Sequence, residues 1–228
     1  MKGIFEIKPS LPRYNCTWST EQVLNFLKSL SPLEDLTLLQ LSRKLVTLFA
    51  LTTGQRAQTL HVFDIRNIDC SSSNMKIRIG DLLKQSKPNH HLSELFLSEY
   101  ILDRDLCVVK TYLHYIDRTK ELDRTKELRQ DTRLFVKTQK PYSWVTKATL
   151  SHWIKDTLGQ AGIDMSCFSA HSTRSASCST AAKGNVPIDT ILRTAGWKED
   201  NVFRKFYNRP ISNDDSSSKT ILSNAKGH

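Results

Sequence analysis

The stretch PLEDLTLLQLSRKLVTLFALTT, residues 32–53, constrains this chain more than any other. Leu36, Leu39, Val46 and Leu48 recur at helical spacing. The apolar residues exceed what one helix face needs, which implies burial, and TTG ends the helix near Gly54. Ahead of it, STEQVLNFLKSL predicts a second helix, with Ser19 or Thr20 as cap. Its apolar face is Val23, Leu24, Phe26, Leu27 and Leu30.

From Gln55, QRAQTLHVFDIRNIDC predicts a short helix that turns into a strand at about Arg66–Cys70. SSSN is a turn, MKIRIG alternates as a half-buried strand should, and DLLKQSKPNHH makes a hairpin-like return. A small antiparallel sheet of two or three strands is expected across residues 65–97. DLCVVKTYLHYIDRTKEL predicts a helix burying Leu106, Val109, Leu113 and Ile116. The tandem repeat DRTKELDRTKEL at 117–128 then lengthens an exposed charged helix end or loop. Further helices follow: KATLSHWIKDTLGQAG, terminated by Gly159 and Gly162; the small-residue run around SAHSTRSASCSTAA; PIDTILRTAGW, closed by Gly196; and NVFRKFYNRP, stopped before Pro210.

The expected fold is mostly α with a small antiparallel β-sheet, an α+β arrangement in one domain over residues 18–210. Residues 1–17 read as an extended lead-in, and 211–228 as a flexible polar tail carrying Ile221 and Leu222.

Composition narrows the partners. Hydrophobic content of 39% and charged content of 25% describe a soluble globular chain. No stretch has the apolar length to cross a bilayer, and residues 1–15 lack a signal core, so no membrane role and an intracellular location are expected. The net charge is +10, most of it in the second half, which suggests a polyanion, nucleic acid before membrane. Cys16, Cys70, Cys107, Cys167 and Cys178 form no CxxC pair, so neither a disulfide scaffold nor a zinc site is expected. Cys167 and His171 have ligand-like spacing without a second pair, and any catalysis is expected to need no metal and no cofactor.

Two arginines focus the search. Arg56 follows Gly54 at a helix start, and Arg174 lies one helical turn after His171, so His171 and Arg174 face one site. Ser175, Ala176, Ser177 and Ser179 let that face approach another backbone or a bulky ligand. A guanidinium is a planar fork of donors suited to two phosphate oxygens. Trp197 and Tyr207 follow in basic company, GWKEDNVFRKFYNR. An unperturbed phenol has a pKa of about 10 and attacks phosphorus only where cations stabilise the phenolate and the charge growing on the phosphate. Tyr14, Tyr100, Tyr112, Tyr115 and Tyr142 have no such setting. The serine run lacks a His–Asp arrangement or a strand–turn elbow, so no serine nucleophile is expected. His90 and His91 read as exposed loop residues.

The ordered set Arg56, a hairpin lysine, His171-x-x-Arg174, Trp197 and Tyr207 resembles the catalytic domain of tyrosine recombinases, the phage integrase family, over roughly residues 20–210. Within it, TGQRAQTL, LLKQSKP, SAHSTRSASCSTAAKGNVPIDTILRTAGW and FRKFYNR are similar to eukaryotic mobile-element recombinases of the crypton or DIRS-like kind. The resemblance implies that Tyr207 attacks a DNA phosphate, leaving a 3′-phosphotyrosine and a free 5′-hydroxyl. Arg56 and Arg174 would clamp the non-bridging oxygens. His171 would bond the phosphate and shuttle the tyrosine proton, and Trp197 would offer its indole N–H. The hairpin lysine would protonate the leaving oxygen; Lys84 ends its strand and is preferred, with Lys87 the alternative. RAQT after Arg56 departs from the family, where many members carry a glutamate two or three residues on.

The resemblance further implies double-stranded DNA as partner, a homo-tetramer on two duplexes, exchange of the tail between neighbours, and a nuclear site of action in a eukaryote. Family members usually carry an N-terminal helical domain, which residues 1–20 are too short to form, so a catalytic domain alone, or a truncated copy, is expected. Alternative functions are a type IB topoisomerase, with a similar residue set, or a DNA-binding remnant of a mobile element that no longer cuts.

Overall fold

Helix α2, Leu38–Thr53, is the centre of the computed structural model, which describes residues 14–81, 94–123, 132–197 and 200–211. Leu41, Leu45, Val46, Leu48 and Phe49 are all inaccessible to solvent. Such all-round burial needs neighbours on several sides, and α2 packs against α4 (Val108–Asp123), α5 (Lys147–Gln160) and α6 (Ser172–Lys183). A capping box opens α2: the Gln40 amide donates to the Thr37 hydroxyl, and the Thr37 amide donates to Oε1 of Gln40. Gly54 closes it in the left-handed conformation, φ 61°.

Helix α1, Thr20–Ser29, lays Val23 and Leu27 on this core. Ser19 is its N-cap by position but makes no side-chain cap bond, and the Thr20 hydroxyl is hydrogen-bonded to that of Thr180. Neither expected cap works as a cap, because Thr20 serves a tertiary contact instead. The short helix α3, Ala57–His61, leads through a 3-10 turn at Ile65–Asn67 into β1, Ile68–Cys70. Strands β2, Asn74–Arg78, and β3, Glu94–Ser98, complete an antiparallel sheet in the order β1-β2-β3. Ile68 pairs with Ile77 and Met75 with Leu97. Met75, Ile77 and Leu95 point into the core, the alternation that MKIRIG announces.

Helix α4 buries Val109 and Ile116 as expected, yet Leu106 and Leu113 are only half-buried. Tyr112 and Tyr115 fill the space, and the Tyr115 hydroxyl accepts a hydrogen bond from the Val136 amide. The first DRTKEL copy is not simply exposed: Thr119 is buried, and Arg118 donates to the carbonyls of Glu34 and Leu36. Most of the second copy lies outside the described residues, as do Lys84, Lys87, His90, His91 and the segment 212–228. Helix α5 runs through Gly159 to Gln160, so Gly159 does not stop it; the turn is completed at Ala161 and Gly162.

Helix α7, Ile188–Ala195, closes at Gly196, φ 73°, as the sequence implies, and α8, Asp200–Phe206, delivers the chain to Tyr207. Cys178, Ile191, Ala195, Trp197 and Phe203 form a small apolar cluster of their own, apart from the main core. Residues near the start of the described chain are tied to this end: Thr17 forms a parallel bridge with Ile211, and Tyr14 bonds Ser169 through its hydroxyl. Among the described residues, no helix is long and apolar enough to cross a membrane.

Candidate active site

Four elements converge where α2 ends. Arg56 is the N-cap residue of α3, with extended backbone. His171 is the N-cap of α6, and Arg174 lies within the first turn of that helix. Trp197 follows the Gly196 turn, and Tyr207 follows α8. The loop between α2 and α3 is pinned from the far side, since the Gln55 side chain donates to the Thr194 carbonyl at 2.6 Å.

The guanidinium of Arg174 is 1% exposed. Its Nη1 donates to the Gly54 carbonyl at 2.6 Å, whereas Nε and Nη2 have no hydrogen-bond partner. Its face lies on Trp197, with Cζ 3.9 Å from the ring centroid. Burial, and then the nearby Arg56 cation, pull its pKa down to about 10. It therefore stays charged at neutral pH, in a place that penalises charge. The indole Nε1 of Trp197 is likewise buried without a partner. Arg174 and Trp197 thus carry three buried donors on two side chains in contact, groups suited to an anionic acceptor.

The Tyr207 hydroxyl closes the group. Nη2 of Arg56 donates to it at 3.4 Å, and Nε2 of His171 lies 3.3 Å from it. The phenol ring packs on Trp197, centroids 4.8 Å apart, and Cζ of Arg174 stands 5.5 Å from its centroid. A cavity of about 190 Å³ opens beside these groups, lined by Gln55, Arg56, Ser151, His171 and Arg174 and also by Lys147. Two guanidinium groups, a buried indole N–H and an imidazole suit a tetrahedral oxyanion, with a phenol oxygen alongside.

Of the six residues marked in the sequence, the fold brings five together: Arg56, His171, Arg174, Trp197 and Tyr207. The sixth, Lys84, lies outside the described residues, with its alternative Lys87. Lys147, at the start of α5, is a cation on the cavity wall that sequence reasoning missed. It belongs to no spaced motif; the only available signal was a lysine directly after the capping Thr146. Cys167 is free, as are the other four cysteines. Among the described residues, no group of three or more His, Cys, Asp or Glu side chains is placed to hold a metal.

The arrangement of helices and sheet recurs in solved structures. XerA recombinase superposes with a TM-score of 0.62 at 16% identity, covering 97% of this chain and 66% of its own. XerH site-specific recombinase, in a post-cleavage complex with a palindromic difH substrate, gives 0.61 at 16% identity, covering 92% and 53%. A lambda integrase tetramer bound to a Holliday junction gives 0.50 at 14% identity, covering 85% and 48%. The chain thus spans about half to two thirds of the length of these proteins. No curated protein matches it. A family model, described as the phage integrase family, matches residues 19–213, nearly the whole of the described structure, and on that match the chain belongs to the phage integrase family.

Proposed function

We propose that this chain breaks and rejoins DNA strands as a site-specific recombinase or integrase, through a covalent 3′-phosphotyrosine. The observation that carries the reading is the Tyr207 hydroxyl, within 3.4 Å of both Arg56 and His171, beside a buried Arg174 with two unused donors. The Tyr207 oxygen attacks the phosphorus as His171 takes its proton. Arg56 and Arg174 hold the two non-bridging oxygens, and Trp197 donates its indole N–H to the charge that grows there. The 5′-oxygen leaves with a proton supplied by Lys84, with Lys87 the alternative. A free 5′-hydroxyl of a second strand then attacks the phosphotyrosine and releases Tyr207. One phosphodiester is made for each one broken, so the cycle needs no ATP, and the guanidinium pair supplies the positive field that a metal provides in other phosphoryl-transfer sites.

Double-stranded DNA is the partner that the charge of +10 favours. A tetramer is the working assembly, in keeping with the lambda integrase complex on a Holliday junction. The motif resemblance to crypton and DIRS-like recombinases extends the proposal to a mobile element acting on nuclear DNA. The test is a nicked suicide substrate carrying the element's own junction sequence. A protein–DNA adduct stable to denaturation, and lost in Tyr207→Phe, supports the reading. Failure of the unaltered protein to form one while it still binds that DNA overturns it.

A further inference from the structure

Two serines reach across to the nucleophile's backbone. Ser175 and Ser179 lie one turn apart on α6, and each donates its hydroxyl hydrogen to the carbonyl oxygen of Tyr207, at 3.1 and 2.7 Å. Oγ of Ser179 also accepts the Arg209 amide hydrogen at 2.9 Å, so one hydroxyl grips the chain on both sides of Asn208. Both side chains are buried, 3% and 4% exposed. Just beyond, the Thr17 amide donates to the Pro210 carbonyl at 2.8 Å.

These bonds answer a mechanical need. Helix α8 has seven residues, too few to hold its own shape in water. Tyr207 sits just past its end, where backbone carbonyls lack helical partners. A phenol fixed only by such a terminus would wander, yet in-line attack tolerates little misplacement of the oxygen. Serines inside a helix commonly bond back to their own preceding turn. Here both turn outward and occupy the two lone pairs of a single carbonyl on another segment. Holding that carbonyl fixes the Cα–Cβ direction of Tyr207, and with it where the ring can swing.

We propose that Ser175 and Ser179 are positioning residues that set the Tyr207 nucleophile against the Arg56–Arg174 pair of its own chain. The role rests on the strand-cleavage reading above. It is distinct from holding the phosphate, because the bonds these hydroxyls make are to the backbone at Tyr207 and Arg209.

The experiment compares the full chain with Ser175→Ala, Ser179→Ala, the double variant and Ser179→Thr on the suicide substrate under single-turnover conditions. Adduct formation in the double variant is expected to slow by about tenfold or more, with DNA affinity within about twofold of the parent. Ser179→Thr, which keeps the hydroxyl, is expected to recover most of the rate. A second arm uses Tyr207→Phe with hydrogen peroxide as an external nucleophile in place of the phenol. Cleavage by peroxide is expected to be the same with and without the serine-to-alanine changes, since the phosphate cage is intact. Should the double variant fail to fold, Ser175→Ala alone removes the longer bond and is expected to slow adduct formation by roughly threefold. An unchanged adduct rate in the alanine variants overturns the proposal. So does a peroxide reaction that falls in parallel, which would place the serines in the fold of the cage. No adduct from the unaltered chain ends the strand-cleavage reading itself, an outcome distinct from an adduct indifferent to the serines.

Discussion

The guanidinium carbon of Arg174 stands 3.9 Å from the centre of the Trp197 ring, and the Tyr207 ring packs on that indole, centroids 4.8 Å apart. Trp197 thus steadies a buried cation, contributes an unpaired N–H and backs the phenol. A desolvated cation–π pair is worth up to about 2 kcal/mol. Trp197→Ala is expected to lose about 3 kcal/mol of stability as well as strand cleavage. Trp197→Phe keeps a ring against Arg174 but loses the N–H, so it is expected to fold while cleaving about tenfold or more slowly. Urea denaturation and suicide-substrate cleavage separate the two effects.

Gly54 carries a second demand of the same site. Its φ of 61° is unfavourable to a side chain, and a Cβ there would lie 3.0 Å from Sγ of Cys178. Its carbonyl also takes the Arg174 Nη1 hydrogen bond. Gly54→Ala is expected to cost about 1–2 kcal/mol and to slow cleavage by displacing Arg174, read by the same two measurements.

Acid stability depends on Asp64. Its carboxylate takes bonds from the Arg66 amide, Nε and Nη2 and from the Thr132 hydroxyl, joining the start of the sheet to the segment after α4. Burial pushes its pKa up, but these hydrogen bonds, Arg66 foremost, outweigh burial and bring it to about 2 from 3.8. A depressed carboxyl pKa stabilises the fold above the unfolded value, and the benefit disappears as pH falls through the folded one. Asp64→Asn is therefore expected to be about 2 kcal/mol less stable at pH 7, with the gap to the parent closing between pH 4 and pH 2 in denaturant titrations.

Lys44 predicts a slope of the same sign, displaced to alkaline pH. It is wholly buried on α2, and its Nζ donates to the Leu30 carbonyl at 2.6 Å. Burial lowers its pKa to about 8 from 10.5. Between those values the folded chain has released a proton that the unfolded chain still holds, so stability from this group rises with pH. The rise is at most about 1.4 kcal/mol per pH unit. Lys44→Met is expected to remove it, so the stability difference between parent and variant climbs from pH 8 to 10.5 in denaturant titrations.

Periodicity made α2 and the small sheet legible, because burial on several sides and on one side leaves different spacings in the sequence. Gly54 and Gly196 marked helix ends that the fold uses, while Gly159 did not, since a helix tolerates one glycine when its neighbours are packed. Spacing alone put His171 and Arg174 on one face; the convergence of Arg56, Trp197 and Tyr207 with them was readable only through the family resemblance that their order carries. Lys147 was not, because its place on the cavity wall depends on how α5 docks against α3. The bonds of Ser175 and Ser179 to Tyr207 were hidden for the same reason: small residues announce a close approach without naming what approaches.

The cluster of Cys178, Ile191, Ala195, Trp197 and Phe203 has its own thermal consequence. The end of the molecule that carries Tyr207 has only this small buried cluster, with Ala181, Ala182 and Leu192 packed on it, whereas the much larger core around α2 holds the rest. Sub-global opening follows such seams. On warming, reactivity should therefore vanish while far-ultraviolet ellipticity is still nearly intact, and amide exchange should be fastest from α7 onward. Cooling should restore turnover without refolding the larger body.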